Sequence, residues 1–172
     1  FGKEERQFQA RWSTVCQEEQ WKVSDCSMQF VRSEPIRMVW EYTSRPGAQY
    51  VHENQANLVS PTWFKLIDEQ ETELTEGDSL ITDTVYLSDY YSAPFQKEAK
   101  KRGQEIWALC SNGFTPERTR QVLSDDVLRQ TLEEAIFSKA IAYGLEGINL
   151  DFENMYREDR DLFTRFVQEC NF

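Results

Sequence analysis

The stretch that decides the fold is Glu146-Gly-Ile-Asn-Leu-Asp-Phe-Glu153, because its residues alternate between apolar and polar. Alternation at period two predicts a β-strand. Its apolar side consists of Ile148, Leu150 and Phe152, and its polar side of Asn149, Asp151 and Glu153. A parallel strand covered on both faces normally reads as a nearly continuous apolar run. The polar side therefore indicates a site, with an edge strand that has one wet face as the alternative.

The two carboxyl groups of this strand indicate acid–base chemistry. At ~3.4 Å per residue, Asp151 and Glu153 lie within about 7 Å of each other along the strand. Ionised carboxylates crowded on an enclosed face repel one another and lose hydration, so one of them tends to keep its proton near neutral pH. A Glu in that state can act as a general acid.

Amphipathic helices are predicted on both sides of the strand. Residues 124–143 are predicted to form a helix because apolar side chains recur every four residues at Leu128, Leu132, Ile136 and Ala140. Ser124 offers an N-cap hydroxyl, and Gly144 suits a left-handed stop. Residues 157–170 carry an apolar stripe that predicts a second helix. The carboxyl groups thus stand near the carboxyl end of a strand between two helices, where (β/α) barrels carry their chemistry.

These residues resemble a known family. Residues 146–153 resemble the Asp-Gly-x-Asp-x-Asp-x-Glu signature of glycoside hydrolase family 18. Gly147-Ile-Asn-Leu-Asp-Phe-Glu-Asn154 is similar to the branch that contains bacterial spore-cortex-lytic N-acetylglucosaminidases, where Asn commonly stands at the position of Asn149. Three more segments resemble the first three barrel strands of that branch: Val39-Trp-Glu41, Val59-Ser-Pro-Thr-Trp-Phe64 and Ile106-Trp-Ala-Leu-Cys-Ser-Asn112. One residue departs from the signature, because Glu146 stands where the family has its first Asp.

The resemblance covers about four-fifths of the chain and implies an α/β fold, a partial TIM (β/α)8 barrel made of its first four βα units. The parallel strands are expected at residues 36–42, 57–63, 105–110 and 147–152. A complete barrel needs about 250 residues, and residues 35–172 supply roughly half of that. We therefore expect the N-terminal half of a barrel, with the remainder in a longer chain. The alternative is a complete small α/β domain with four parallel strands.

By resemblance, the expected activity is hydrolysis of β-linked N-acetylhexosamine polymers by a substrate-assisted, retaining mechanism without metal or organic cofactor. Glu153 would be the general acid and Asp151 would orient the acetamido group of the substrate. Asn149 would hold Asp151, and the Glu146 departure puts the hydrogen bonds behind Asp151 in question. The alternatives are a sugar-binding relative without activity, and a fragment that is inactive and associates on its own because its edge strands are unpaired.

Aromatic and amide residues near the strand ends are the predicted sugar contacts. An aromatic ring can cover the flat C–H face of a sugar while amides bond to its hydroxyls, and pockets combine apolar walls with a few polar groups. Each Trp is individually more common in a core than in a sugar platform. Trp63 is the favoured platform, because it follows a break in the strand pattern. The remaining candidates are Trp40, Tyr156, Asn112 and Asn154.

Composition limits the partners and the location of the protein. The chain is 40% hydrophobic and 13% aromatic, which suffices for a core. Its net charge of −11 argues against nucleic acid, whose binding depends on Lys and Arg, and against attachment to an anionic membrane or cell-wall surface by charge alone. No apolar run approaches the ~18 residues of a membrane span. The resemblance implies a bacterial protein that is secreted or associated with the cell wall or the spore.

Histidine and cysteine offer little for catalysis or metal binding. His52 is the only histidine, it has no companions at metal-ligand spacing, and a solvated loop residue is the expected role. Cys16 and Cys26 could form a disulfide in an exported protein, whereas Cys110 and Cys170 resemble buried apolar residues. No metal site is predicted.

Two segments fall outside the predicted βα units. Residues 1–34 are polar with isolated aromatic residues, and they are expected to form a leading segment, either strands of a small β module ahead of the barrel or the tail of such a module. Residues 69–83 are acidic and polar, which predicts a hairpin or a surface loop after the second strand.

Overall fold

A computed structural model of the chain describes residues 8–17, 20–30, 35–42, 56–70 and 73–170, with only the backbone described before residue 35. His52 lies outside these ranges. The chain divides into two compact units, residues 1–36 and residues 37–172.

The first unit contains an antiparallel pair of strands, β1 (Phe8–Gln17) and β2 (Gln20–Phe30). Their register places Cys16 opposite Trp21 and Cys26 opposite Trp12. The two cysteines are therefore separated by about four residues of strand, roughly 13 Å, whereas a disulfide needs Cα atoms within about 7 Å. The disulfide considered from the sequence does not fit this register.

The second unit alternates strands and helices. Its strands are β3 (Met38–Glu41), β4 (Leu58–Pro61), β5 (Phe64–Asp68), β6 (Ser79–Leu80), β7 (Val85–Leu87), β8 (Glu105–Ser111) and β9 (Gly147–Asp151). Its helices are α1 (Ala93–Lys101), α2 (Pro116–Ser124), α3 (Asp126–Tyr143) and α4 (Arg160–Glu169), the last preceded by a 3₁₀ turn at Arg157–Asp159.

The four predicted strands correspond to β3, β4, β8 and β9, and they pair in that order as a parallel sheet. The parallel α/β prediction is confirmed, with strand ends that differ from it by one or two residues. The sheet is mixed rather than all-parallel, because β5, β6 and β7 form antiparallel pairs beside it. Within the described residues β3 and β9 each pair with one neighbour only, so the sheet is open.

The second predicted strand, residues 57–63, is interrupted. It ends at Pro61, and the chain resumes as β5, which runs parallel to the far end of β8. Proline has no N–H to donate to the sheet, which accounts for a break at this point. Beyond β5, the segment Ser79–Leu87 turns back as the β6–β7 hairpin. The hairpin expected in residues 69–83 therefore exists, and it begins and ends later than expected.

One face of the parallel sheet is buried under the helices. The core cluster joins side chains of β4 and β8 to side chains of three helices: Val59, Ile106, Ala108, Cys110, Val122, Leu132, Ile136 and Phe166. Ile148 and Leu150 of β9 pack against this cluster, as their alternation predicts. We call the other side of the sheet the front face. Its paired positions include Trp40 with Ser60, Leu109 with Asn149, and Ser111 with Asp151.

Helix α3 starts two residues after the predicted N-cap. Asp125 is the N-cap instead of Ser124, and its Oδ1 accepts hydrogen bonds from the N–H groups of Val127 and Leu128. Ser124 cannot cap α3 because it is the last residue of α2, a helix that the sequence pattern did not predict. Gly144 ends α3 with φ 59°, which confirms the predicted left-handed stop.

The β6–β7 hairpin is fixed to α3 by a buried ion pair. Lys139 Nζ lies 2.8 Å from Asp89 Oδ2, and both side chains are buried. Tyr143 donates a further hydrogen bond to the same carboxylate oxygen, and burial together with that bond raises the Tyr143 pKa. A buried charge is tolerated only when it is paired, so this cluster constrains where the hairpin lies.

The two cysteines of the second unit are free thiols. Cys110 is buried in the core, and its pKa is raised by loss of hydration. Burial also raises the pKa of Cys170, to about 12. The expectation that they behave as apolar residues is confirmed for Cys110, and Cys170 is only partly buried.

Substitution of Gly147 by alanine should lower the free energy of unfolding by about 1–3 kcal/mol, the usual cost of overpacking. An added Cβ would lie 2.8 Å from atoms of the Trp107 ring, its partner on β8. Urea unfolding measures the effect. The loss should shrink in a Trp107→Leu background, and an equal loss in both backgrounds would contradict a steric cause.

Substitution of Glu169 by glutamine should destabilise the protein at pH 7 and have little effect near pH 2. Arg129, whose side chain is buried, hydrogen-bonds Glu169 and lowers its pKa to about 2. An unfolded Glu titrates near ~4.3, so the stabilisation is complete above that pH and is lost as the pH falls toward 2. Thermal unfolding of parent and variant between pH 7 and pH 2 tests this. A difference in Tm that does not change with pH would contradict it.

Candidate functional site

The carboxyl end of β9 is fixed by the apolar residue between the two carboxyl groups. The Phe152 ring stacks against Phe163 and Phe166 of α4, with centroid distances of 5.4 and 5.5 Å. The predicted packing of Phe152 under a helix is therefore confirmed. Asp151 is paired with Ser111 on the front face, and Glu153 is exposed rather than buried in the helix layer.

The carboxylates of Asp151 and Glu153 have no hydrogen-bond or ion-pair partner in the described part of the chain. No described side chain or backbone group donates a hydrogen bond to either carboxylate, and neither is in an ion pair there. Asp151 is partly buried, whereas Glu153 is exposed. Their oxygens are thus available to a ligand at the end of the strand.

Asn112, which was predicted to bind substrate, lies inside the protein. Its side chain is fully buried, and its amide is used by the protein itself. Oδ1 accepts from the Glu153 N–H at 3.0 Å, and Nδ2 donates to the Glu153 carbonyl at 2.7 Å. Nδ2 also donates to Thr119 Oγ1 at 2.9 Å. The amide holds the chain at Glu153 and has no group left for a sugar hydroxyl.

The resemblance implied that Asn149 holds Asp151. In the structure, the Asn149 side chain binds a different residue. Its Nδ2 donates to Ser60 Oγ at 3.0 Å, across the intervening strand β8. Ser60 is in turn paired with Trp40, whose side chain is 62% exposed. The front face therefore brings Trp40, Asn149 and Asp151 to one side of the sheet, and Trp40 keeps a ring surface that a sugar could contact.

Trp63, the favoured platform, is a core residue. Its side chain is 0% exposed, and its ring contacts Tyr91 and Phe95 edge-on at 5.1 and 5.8 Å. The break after Pro61 turns the Trp63 ring toward α1 rather than toward solvent. Trp63 thus has no exposed ring face in the described structure with which to cover a sugar.

Glu146 lies at the opposite end of β9 from the carboxyl pair. Its Oε2 accepts a hydrogen bond from the Ile106 N–H at 3.0 Å, and its own N–H donates to the Ile106 carbonyl. Lys100 Nζ lies 4.0 Å from its Oε1. Five residues of strand separate Glu146 from Asp151, about 17 Å, so Glu146 supports the sheet and does not reach the site.

Asn154 joins the site to the loop after β8 through two residues with positive φ. Asn154 has φ 52° and Phe114 has φ 61°, a left-handed conformation that is uncommon outside glycine, is tolerated best by Asn and Asp, and is rare for a bulky residue. Asn154 Nδ2 donates to the Phe114 carbonyl at 2.9 Å. Phe114 was not predicted, although its side chain is 58% exposed beside the site. Only the preceding Gly113, with φ 68°, signals a turn there.

Tyr156 is held at the side of the site by two residues of α2. Its hydroxyl donates to Glu117, and the Arg120 guanidinium lies 4.2 Å from the centre of its ring. That hydrogen bond lowers the pKa of Glu117 and raises the pKa of Tyr156. Arg120 is also bound to both oxygens of Asp159. Tyr156 is thus an ordered, partly exposed ring, and its role as a sugar contact stays a prediction.

The described residues contain neither a cluster of metal ligands nor a membrane-spanning helix. No cluster of three His, Cys, Asp or Glu side chains suited to hold a metal occurs in the described ranges. None of the helices described here is long and apolar enough to cross a membrane.

Comparison with known proteins links the chain to bacterial glycosylases. No family model matches it. It is 38% identical over 64 residues to a Bacillus subtilis protein named as a sporulation-specific glycosylase, YdhD, covering 37% of this chain and 15% of that protein. It is 29% identical over 76 residues to an uncharacterized B. subtilis glycosylase, YvbX, covering 41% and 22%. The chain thus spans about a fifth or less of the length of these relatives.

Several solved structures have a similar fold. The spore cortex-lytic enzyme SleL of Bacillus cereus matches 84% of this chain and 34% of its own, with a TM-score of 0.55 at 17% identity. SleL of Bacillus megaterium matches 67% and 24%, with a TM-score of 0.52 at 18% identity. A class V chitinase of Pseudomonas fluorescens matches 67% and 33%, with a TM-score of 0.50 at 22% identity. The mixed α/β fold with its parallel sheet is similar to that of these glycosidases.

Replacing Asn154 by alanine should lower the free energy of unfolding by about 1–2 kcal/mol, from the lost hydrogen bond and the backbone strain that remains. Asn154→Gly loses the same hydrogen bond but relieves the left-handed strain, so it should cost less. Chemical unfolding of both variants is the measurement. An alanine variant as stable as the glycine variant would show that the φ of 52° carries no strain.

Proposed function

We propose that this chain supplies the acid-bearing part of the active site of a glycosidase that hydrolyses β-linked N-acetylhexosamine polymers, peptidoglycan or a chitin-like polysaccharide. The observation that carries the proposal is the pair Asp151 and Glu153. The two carboxylates stand two residues apart at the carboxyl end of a parallel strand and have no partner within the described residues. Relatives named as glycosylases and neighbours named as a cortex-lytic enzyme and a chitinase support it.

In the proposed mechanism Glu153 protonates the glycosidic oxygen as the leaving group departs, and later removes a proton from the attacking water. The nucleophile is the acetamido carbonyl of the substrate, so no second protein carboxylate is needed to form a covalent bond. Asp151 orients that acetamido group and stabilises the positive charge of the oxazolinium-like intermediate. Asn149 lies two residues before Asp151 on β9 and supports the site through its hydrogen bond to Ser60.

The same proposal extends to the surroundings of the site. The open sheet β3–β4–β8–β9 is the first half of a TIM barrel of glycoside hydrolase family 18, and the remaining strands complete the sugar cleft. Trp40, with its exposed ring on the front face, contacts the sugar, and Tyr156 lines the side of the cleft. The spore-related names of the relatives support action at the spore or cell wall.

The proposal predicts that Glu153→Gln lowers hydrolysis of N-acetylglucosamine oligomers by at least the ~10²–10⁴-fold of general acid catalysis. Glutamine keeps the size of the side chain but cannot transfer the proton. Asp151→Asn should also lower turnover, because it removes the charge that faces the intermediate. Binding of the oligomer should persist in both variants. The assay uses the longest natural protein that contains this sequence, with chitin and peptidoglycan fragments tested separately.

Glu158→Gln is the matched control. Glu158 lies five residues beyond Glu153, is exposed, and among the described residues forms an ion pair with Arg120 at 3.8 Å. This variant should retain parental turnover. Hydrolysis by Glu153→Gln within a few-fold of the parent would exclude Glu153 as the acid. A parent protein that binds the oligomer without cleaving it would instead identify a sugar-binding relative.

A further inference from the structure

The backbone at Glu153 is held by a side chain rather than by a neighbouring strand. Regular pairing between β8 and β9 ends at Ser111 and Asp151. Two residues later, the Asn112 amide binds both the N–H and the carbonyl of Glu153, at 3.0 and 2.7 Å. A residue in a sheet exchanges the same two hydrogen bonds with a partner strand. The Asn112 side chain therefore extends the ladder by one step after the backbone has turned away.

The backbone of β8 cannot make this step itself. Gly113 follows with φ 68°, and a Cβ at that position would lie 2.6 Å from the Leu66 carbonyl oxygen. The chain thus turns sharply against β5, away from β9. A side chain that carries one donor and one acceptor about a peptide apart can reach Glu153 from there, and an amide meets that requirement.

The Asn112 amide has its full complement of partners. Besides Glu153, Nδ2 donates to Thr119 Oγ1 at 2.9 Å, and Oδ1 accepts from the Phe114 N–H at 3.3 Å. Thr119 Oγ1 donates onward to the Thr115 carbonyl at 2.8 Å. Two donors and two acceptor positions are thus all occupied in a buried site, where a lost hydrogen bond is expensive. These hydrogen bonds fix the rotamer of Asn112 and therefore the position of the Glu153 backbone beyond the end of β9.

We propose that Asn112 is a positioning residue for the proton transfer by Glu153. It sets where the Glu153 backbone stands relative to Asp151 and so where the carboxyl group meets the glycosidic oxygen. The proposal rests on the proposed role of Glu153 for its kinetic consequence, and on the hydrogen bonds alone for its structural part. A displacement of about 1 Å in a catalytic group can lower a rate by around 10²-fold.

The structural part is tested by amide hydrogen exchange, which requires no activity. In Asn112→Ala, hydrogen exchange of the backbone N–H groups of Glu153 and Phe114 should accelerate at least tenfold. The backbone N–H groups within β9 should keep their protection. Gln104→Ala is the matched control, since Gln104 is also a buried amide and precedes the other end of β8, where its Nε2 binds the Ala56 carbonyl. It should leave the Glu153 amide unchanged. An unchanged Glu153 amide in Asn112→Ala would overturn the proposal.

The kinetic part is tested by turnover of N-acetylglucosamine oligomers in the natural protein that contains this chain. Asn112→Ala should lower kcat by about 10–100-fold with KM within threefold of the parent, and Gln104→Ala should lower neither by more than threefold. In a Glu153→Gln background, Asn112→Ala should have less than a threefold further effect, because the proton that Asn112 positions is already missing. A full additional loss in that background would overturn positioning and indicate a general structural role.

A conservative variant keeps the test decisive if Asn112→Ala does not fold. Asn112→Ser keeps a neutral polar group and so buries no charge, but its hydroxyl is too short to bridge the Glu153 N–H and carbonyl. We expect the backbone amide of Glu153 to exchange faster than in the parent and kcat to fall as in the alanine variant, and an unchanged Glu153 backbone amide would contradict the proposal. A parent without hydrolase activity would refute the proposed function, while the exchange experiment would still decide whether Asn112 holds Glu153.

Discussion

Strand β8 is the constraint on which the rest of the second unit depends. It pairs with β4 at one end, with β5 at the other, and with β9 along its opposite edge. Its helix-side residues Ile106, Ala108 and Cys110 are fully buried, so a slip of one residue would move them to the front face. The burial of β8 thus fixes the register of β9, and that register places Asn149 and Asp151 on the front face.

The chain beyond the end of β8 is held by side-chain hydrogen bonds in an unfavourable backbone conformation. Pairing through the backbone stops at Ser111, and beyond it the chain depends on side-chain amides: Asn112 binds the Glu153 backbone and Asn154 binds the Phe114 carbonyl. Both Phe114 and Asn154 take the left-handed conformation that structures maintain only where their surroundings fix it. Reciprocal amide bonds between two loops provide that fixation beside the carboxylates.

The sequence predicted what depends on local pattern. Alternation in residues 147–152 gave β9 with its apolar side, and the four-residue spacing of Leu132 and Ile136 gave α3. The roles of Trp63 and Asn112 could not be predicted in the same way. Trp63 is buried because Tyr91 and Phe95 cover it, and Asn112 meets a backbone 41 residues away. Both outcomes depend on packing between distant segments, whereas residue type alone indicated a platform and a sugar ligand.

The carboxylates of this unit divide into two kinds, and the division supports the proposed site. Asp89 is bound by Lys139 and Tyr143, Asp159 by Arg120, and Glu169 by Arg129. These carboxylates hold elements together, and each has the partner that a buried or partly buried charge requires. Asp151 is partly buried in the sheet, yet no described group binds its oxygens. Under the proposed function, the unpaired Asp151 carboxylate beside Glu153 is a group that the bound sugar would contact.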